Sequence, residues 1–450
     1  MQTLIDILSV PAIVVALISL VGLLLQKKGT ADVVKGTTKT FIGFLVLSAG
    51  AGVLQTALIP FGTLFEKAFN VSGVVPNNEA IVGLALSEYG TTTALIMFFG
   101  MIVNIILARF TKYKYIFLTG HHTLYMACML AIIMAVAGFD SVGLIAAGSV
   151  ALGIIMTLSP AIVQPFVRKL TGNDQVALGH FSAVGYAVSC LVGKAVGGKN
   201  PTSTEKIHFP KGLGFLRDST VSIALTMAVM YVIVALFAGQ PFIETELSDG
   251  TNFIVYALTQ AGNFAAGVFV ILAGVRLILA EIVPAFKGIS TKLVPNAKPA
   301  LDVPIIYTYA PNAVLIGFFS SFVGGIVSMV VMTFTGGIII LPGVVPHFFT
   351  GAAAGVLGNA TGGVKGAVVG SFVNGVIISF LPVFLMPVLG DLGFASTTFS
   401  DTDFGVSGIF FGTLANYFGS IAIVIGLVII VALMLVPFGK KASSTENEAK

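Results

Sequence analysis

The chain has 450 residues, of which 56% are hydrophobic and only 9% charged, with a formal net charge of +4. A soluble domain carries roughly a quarter charged residues, so this composition cannot cover a water-facing exterior, and lipid is the solvent that fits it. The few cations lie between apolar runs and form no basic stripe on a helix, which excludes a nucleic-acid partner. Cys128 and Cys190 lie far apart inside apolar stretches, without CxxC spacing, and read as small buried hydrophobes.

A bilayer crossing needs about 20 mostly apolar residues. The first run, 5–26, has no basic segment before it, starts at Asp6 and is followed by Lys27 and Lys28. That is the pattern of a first transmembrane helix with its N-terminus outside, not of a signal peptide. Runs at 40–62, 88–108, 115–138 and 142–165 follow. The stretch 176–196 is apolar but broken by His180 and several glycines, and ends near Lys194. It reads as a re-entrant hairpin, which is tolerated only when buried in protein or lining a cavity. Runs at 221–238, 253–279, 312–334, 340–362, 366–388 and 415–437 bring the expectation to about eleven crossings.

With the N-terminus outside, all of the 23 Lys and Arg except Lys67 fall on inner segments, as the positive-inside rule requires. The acid-bearing segments around Glu244–Asp249 and Asp391–Asp403 then fall on outer loops. The longest polar insert, about 197–220, is too short for a soluble domain of ~50 residues. The chain therefore reads as one integral membrane unit over 1–439, with a disordered cytoplasmic tail at 440–450. Segments 23–40 and 275–292 both end an apolar span and carry a Lys-Gly pair at the same point, Lys35-Gly36 and Lys287-Gly288. They raise a two-fold internal repeat of the kind transporters use.

Polar residues at membrane depth are costly and mark function. Asn77, Asn78 and Glu79 follow Pro76, which leaves two readings: a capped helix on the outer face, or a helix end offering amide and carboxylate groups to a cavity. His121 and His122, with Thr123, Leu124 and Tyr125 after them, form a candidate binding face. Adjacent histidines point in different directions and no Cys/His/Asp/Glu spacing completes a site, so neither a metal nor a cofactor is expected. His180, with Phe181 as a stacking surface, is the candidate ligand in the broken segment. Asp302 lies among Pro295, Pro299, Pro304 and Pro311, which forbid one continuous helix and resemble a site built on discontinuous helices; the competing reading pairs it with Lys298 near the inner surface. Glu88, Arg276, Glu281 and His347 are placed outside the contact layer. Such a set of His, Asn, Glu, Asp and Tyr suits a sugar or polyol, whose hydroxyls both donate and accept.

The segments KGTTKTFIGFLVLSAGAGVL, FLTGHHTLY, ALGHF, AFKGISTKLVPNAKPALDVPIIYTYAPNAV and LPGVVPHFF, in that order, resemble the membrane IIC component of the bacterial phosphotransferase system for L-ascorbate, over about residues 30 to 430. The resemblance implies an all-α polytopic protein with a core domain and a V-shaped dimerisation domain, assembled as a homodimer in the bacterial inner membrane, N-terminus outside and C-terminus cytoplasmic. It implies transport coupled to phosphorylation by a cytosolic IIB protein bearing phosphocysteine, itself supplied through IIA, with no catalytic residue on this chain. It places substrate contacts at Asn78, Glu79, His121 to Tyr125, His180, Phe181 and Asp302. Ascorbate-specific members have Tyr where Glu79 stands and Gln at the positions of Tyr125 and Phe181, so a neutral pentitol or another sugar is an alternative substrate. An ion-coupled secondary transporter, with Asp302 or Glu79 carrying a proton, is the competing class; an intramembrane transferase lacks the metal-binding acid cluster it would need.

Overall fold

The computed structural model describes residues 11–70, 73–207, 218–335, 338–394 and 396–436. Residues 5–10 of the first expected span and the tail at 440–450 lie outside them. The fold is all-α. In chain order the main helices are α1 (Pro11–Leu25), α2 (Thr30–Phe69), α3 (Asn78–Phe110), α4 (Gly120–Val136), α5 (Ser141–Thr171), α6 (Ala183–Val196), α7 (Ser219–Ala238), α8 (Gln240–Glu246), α9 (Phe253–Leu293), α10 (Pro311–Thr333), α11 (Ala352–Leu385), α12 (Thr402–Phe418) and α13 (Ser420–Leu435).

Their ends follow local chemistry. Asn77 accepts a hydrogen bond from Ala80 N at 2.7 Å and starts α3; Asp140 does the same for Gly143 N at 2.7 Å and starts α5. Gly172, in the left-handed region, closes α5. Among the described residues, five helical segments are long and apolar enough to cross a bilayer: α3, α5, Phe253–Ile278 of α9, α10 and Val344–Val388, which contains α11. A sixth is obtained if Met227–Ala238 and Gln240–Glu246, bent by 100° at Gly239, form one span. The expected crossings 340–362 and 366–388 meet at Gly363, which has φ 60° and ψ −148°, and there the chain folds back on itself: Ser371 Oγ donates to Gly351 O at 3.2 Å and Asn374 Nδ2 to Thr350 Oγ1 at 3.0 Å, so the two halves of α11 lie against each other. A Cβ there would stand 2.3 Å from the carbonyl oxygen of Thr202, so only glycine can make the bend.

Helices α2 and α9 have 40 and 41 residues, so each is about 60 Å long at 1.5 Å per residue, twice the hydrocarbon thickness. They lie antiparallel against each other. The contact is backbone to backbone: a Cβ on Gly274 would meet Leu47 N at 2.4 Å and Gly43 O at 2.5 Å, the close approach that small residues allow between membrane helices. Lys35-Gly36 stands near the start of α2 and Lys287-Gly288 near the end of α9, at the same end of this pair; the Lys287 side chain lies outside the described residues.

The apolar runs gave no sign of strands, yet six short ones are present among the described residues: β1 (Gly73–Pro76), β2 (Tyr115–Phe117), β3 (Ala177–Leu178), β4 (Lys298–Leu301), β5 (Ile339–Ile340) and β6 (Thr397–Thr398). They form two parallel three-stranded sheets, in orders β5-β1-β6 and β2-β4-β3. Each sheet has a central strand from one half of the chain flanked by two strands from the other. The segment 176–196, expected as a hairpin, is β3 followed by a turn at His180 and then α6. Asn104 of α3 holds β2 in place: its amide donates to Tyr115 O at 3.1 Å and Thr157 Oγ1 at 2.9 Å, and its carbonyl accepts from Phe117 N at 3.1 Å. A buried side chain thus replaces the strand neighbour that β2 lacks on that side.

Behind the second sheet, Asp174 accepts from Arg168 Nε at 2.7 Å and Gln164 Nε2 at 2.8 Å, and pairs with Lys298 of β4. Desolvation acts to raise its carboxyl, but the hydrogen bonds from Lys298, Arg168 and Gln164 outweigh that and hold it well below the usual carboxylate range. A depressed carboxylate contributes stability above its unfolded pKa of about 3.9 and loses it as pH falls through the lower folded value. The Asp174 side chain is 41% exposed, so solvent screens the group and its contribution is below about 1 kcal/mol. Asp174→Asn should melt slightly below wild type at pH 7, and the gap should close as the pH is lowered below about 4. A gap that stays constant across that range in detergent melting curves would remove the linkage.

Candidate binding cavity

Each strand runs directly into a helix start, and all six junctions converge on one cavity of about 250 Å³. After β1 come Asn78 and Glu79, after β2 His121, His122 and Tyr125, after β3 His180, after β4 Asp302 and Pro304, after β5 Val345, Pro346 and Phe349, and after β6 Asp401. Arg276 reaches it from α9. Asn78, Glu79, His121, His180, Asp302 and Asp401 follow the ends of their strands by one to four residues, which puts most of them at or just before helix N-termini, where free N–H groups favour oxygen-rich or anionic partners. The volume is on the order of eight waters at ~30 Å³ each, which fits a small solute and is below the range of drug-sized pockets.

The histidine side is closely coupled. His122 and His180 have ring centroids 3.9 Å apart. Nδ1 of His180 is 2.9 Å from the hydroxyl of Tyr186 on α6. His121 Nε2 is 3.5 Å from Asp302 Oδ2, and Asp302 Oδ1 accepts from Val303 N at 2.7 Å. On the opposite side, the Asn78 carbonyl accepts from Ser400 N at 3.0 Å, and Asp401 Oδ1 accepts from Ser400 Oγ at 2.9 Å. Three polar atoms of the wall are buried and have no protein partner: Glu79 Oε2, His122 Nδ1 and Tyr125 OH. Buried polar groups are rarely left so, and three on one cavity mark it as built to receive hydrogen bonds from an occupant.

The structure therefore brings together Asn78, Glu79, His121, His122, Tyr125, His180 and Asp302. It turns the other three expected contacts away. Thr123 is fully buried and donates to Thr119 O at 3.1 Å. Leu124 joins the hydrophobic core. Phe181 stacks on Phe117 with centroids 4.4 Å apart and is edge-on to Phe404. Two residues change status in the other direction. Arg276, expected outside the contact layer, lines the cavity. Asp401, expected in an outer loop, is 3% exposed and faces the cavity as the first residue before α12. The same correction applies to Asp403, which is 4% exposed: its carboxylate accepts from Ser159 Oγ at 2.7 Å, Ala183 N at 3.1 Å and Val184 N at 3.0 Å. It thereby caps α6 from the start of α12. The reading of 391–403 relied on its lack of cations; the missed signal was Ser400-Asp401-Thr402-Asp403 ahead of an apolar run, a helix-start pattern. Glu88 and His347 do not line the cavity; His347 Nδ1 is 2.8 Å from Ser321 Oγ.

Several apolar helices around a cavity lined by polar side chains at helix breaks define a multi-pass membrane protein. The match to the family described as the phosphotransferase-system (PTS) sugar-specific permease component covers residues 6–403, and the chain belongs to that family. It is also similar to a protein of Mycoplasma pneumoniae (strain ATCC 29342 / M129 / Subtype 1) named the ascorbate-specific PTS system EIIC component, with 28% identity over 431 residues. That alignment covers 82% of this chain and 64% of the relative, so the chain spans somewhat less than two thirds of that protein's length.

Proposed function

We propose that this chain is the membrane permease subunit, IIC, of a phosphoenolpyruvate-dependent phosphotransferase system. It binds a small polyhydroxylated solute, L-ascorbate or a related sugar or polyol, in the cavity between the two sheets. A separate cytosolic IIB protein with a phosphocysteine, recharged by IIA, phosphorylates the solute on arrival. The observation that carries this reading is the convergence of six strand-to-helix junctions on one small cavity whose buried polar atoms lack protein partners, in a chain of the sugar-permease family. The wider arrangement we propose has eleven crossings, an outer N-terminus, a cytoplasmic C-terminus and a homodimer formed through a V-shaped scaffold domain. The long α2–α9 pair supports the scaffold role, because helices of about 60 Å can brace a core through the whole bilayer. Movement of the core against that scaffold would alternate access to the cavity.

The wall carries the carboxyl groups of Glu79, Asp302 and Asp401 against the single guanidinium of Arg276. Like charges close together cost energy, which favours a solute that is neutral when bound and places pentitols beside ascorbate as substrates to test. Membrane vesicles loaded with purified IIB and a phosphoryl source should accumulate phosphorylated ascorbate or pentitol and should not release it. Accumulation of unmodified solute that follows an imposed proton gradient, without IIB, would instead establish a secondary transporter.

A further inference from the structure

His122, His180 and Asp401 come from three different strand ends, and one ligand-type atom of each lies within 4.8 Å of those of the other two. All three residues are buried, at 3% exposure each. His122 Nδ1 stands 3.9 Å from Asp401 Oδ2. That is too far for a hydrogen bond, and His122 Nδ1 has no other protein partner. A buried, unpartnered imidazole nitrogen thus faces a buried carboxylate across a gap that no protein atom bridges.

The remaining atoms of the group are held as metal ligands usually are. Nδ1 of His180 is 2.9 Å from the Tyr186 hydroxyl; in the tautomer with Nδ1–H donating to that hydroxyl, Nε2 carries the free lone pair. Asp401 Oδ1 is engaged by Ser400 Oγ at 2.9 Å, and Asp401 Oδ2 is the oxygen turned toward His122. Partners of this kind fix the tautomer and orientation of ligands around a metal. Phe181 and Phe404, with ring centroids 5.8 Å and 6.1 Å from that of His122, back the group with apolar surface.

We propose that His122, His180 and Asp401 bind one divalent transition-metal ion of the zinc class, with at least one coordination position open to the cavity for an oxygen ligand. Two imidazoles and one carboxylate suit zinc and its neighbours rather than magnesium or calcium, which take oxygen shells. Bond lengths of 2.0–2.2 Å put donor atoms about 3.3 Å apart around a tetrahedral ion. Closing from the observed spacing takes side-chain shifts of no more than about 1.5 Å per pair. Residue spacing concealed the site, because Asp401 meets the two histidines only where the start of α12 docks on the start of α6.

The test uses the full chain, purified in detergent and stripped with a chelator, without solute. Titration calorimetry with zinc chloride should show one site per chain, micromolar or tighter, and magnesium chloride at the same concentrations should give no heat. Asp401→Asn and His122→Gln should each weaken zinc binding by about 100-fold or more, while Glu88→Gln should leave it unchanged. Cobalt(II) added to the wild type should give the visible absorption bands of a low-coordinate nitrogen–oxygen site, a readout that needs no variant. Absence of saturable zinc binding, or equal affinity in wild type and both variants, would overturn the proposal. Since no solute is present, its failure leaves the permease reading standing.

Discussion

Replacing Asp403 by Ala should cost more stability than any single change to the cavity wall, about 3–5 kcal/mol, and should be seen as a large drop in melting temperature in detergent. The carboxylate is 4% exposed and accepts from Ser159 Oγ, Ala183 N and Val184 N, with Thr402 Oγ1 a longer fourth donor at 3.3 Å. Two of these donors are the first free N–H groups of α6, which its own N-cap residue, Ser182, does not cap. Neighbouring bonds tie the same junction: Gly185 N donates to Thr402 Oγ1 at 3.0 Å, and Asp403 N to Phe181 O at 3.0 Å. Truncation would leave buried donors unpaired, each costing ~1–3 kcal/mol, though such costs do not add simply. Asp403→Asn is no substitute, because one of its two polar atoms becomes a donor facing donors. His180 lies three residues before α6, so loosening this start should also release the His180–Tyr186 contact. A melting temperature equal to wild type in Asp403→Ala would show that the α6–α12 junction is not held in this way.

What could be read in the residues was the solvent, the polar inventory and most of the helices. The apolar runs at 88–108, 142–165 and 312–334 fall inside α3, α5 and α10 but for Phe334, because each is long and flanked by caps or prolines. The strands escaped notice for a physical reason. A segment of two to four residues such as Val74-Val75 or Ile339-Ile340 has no periodicity of its own when it adjoins a membrane-length apolar run. Missing the strands also hid what they do: they end helices at mid-chain and deliver His121, His180, Asp302 and Asp401 to one place. The residues chosen because prolines or glycines break the run, Asn78, Glu79, His180 and Asp302, all reach the cavity. Thr123 and Leu124, taken with the histidines as one binding face, and Phe181, taken as a stacking surface, do not line it, since neighbours on a helix or turn point to different faces.

That distinction gives the second large effect. His180→Ala and Asp302→Ala should each weaken solute binding by about 10- to 100-fold or more, the equivalent of one or two hydrogen bonds to a charged or strongly polar group. Asp302 is the cleaner of the two. Its side chain is 31% exposed, touches His121 at 3.5 Å and accepts from Val303 N, so its loss opens the cavity without emptying the core. The Asp302→Ala variant should therefore melt near the wild-type temperature while failing to bind. His180→Ala also strands the Tyr186 hydroxyl in the interior and should lose both binding and some stability. Thr123→Val supplies the contrast: its hydroxyl is spent on Thr119 O and lies outside the cavity, so affinity should change by less than about 3-fold. Equilibrium binding of ascorbate and of a pentitol to the three variants, alongside melting curves, separates these outcomes. If Thr123→Val abolished binding and Asp302→Ala did not, the solute would have to enter along the helix face of α4 and not between the two sheets.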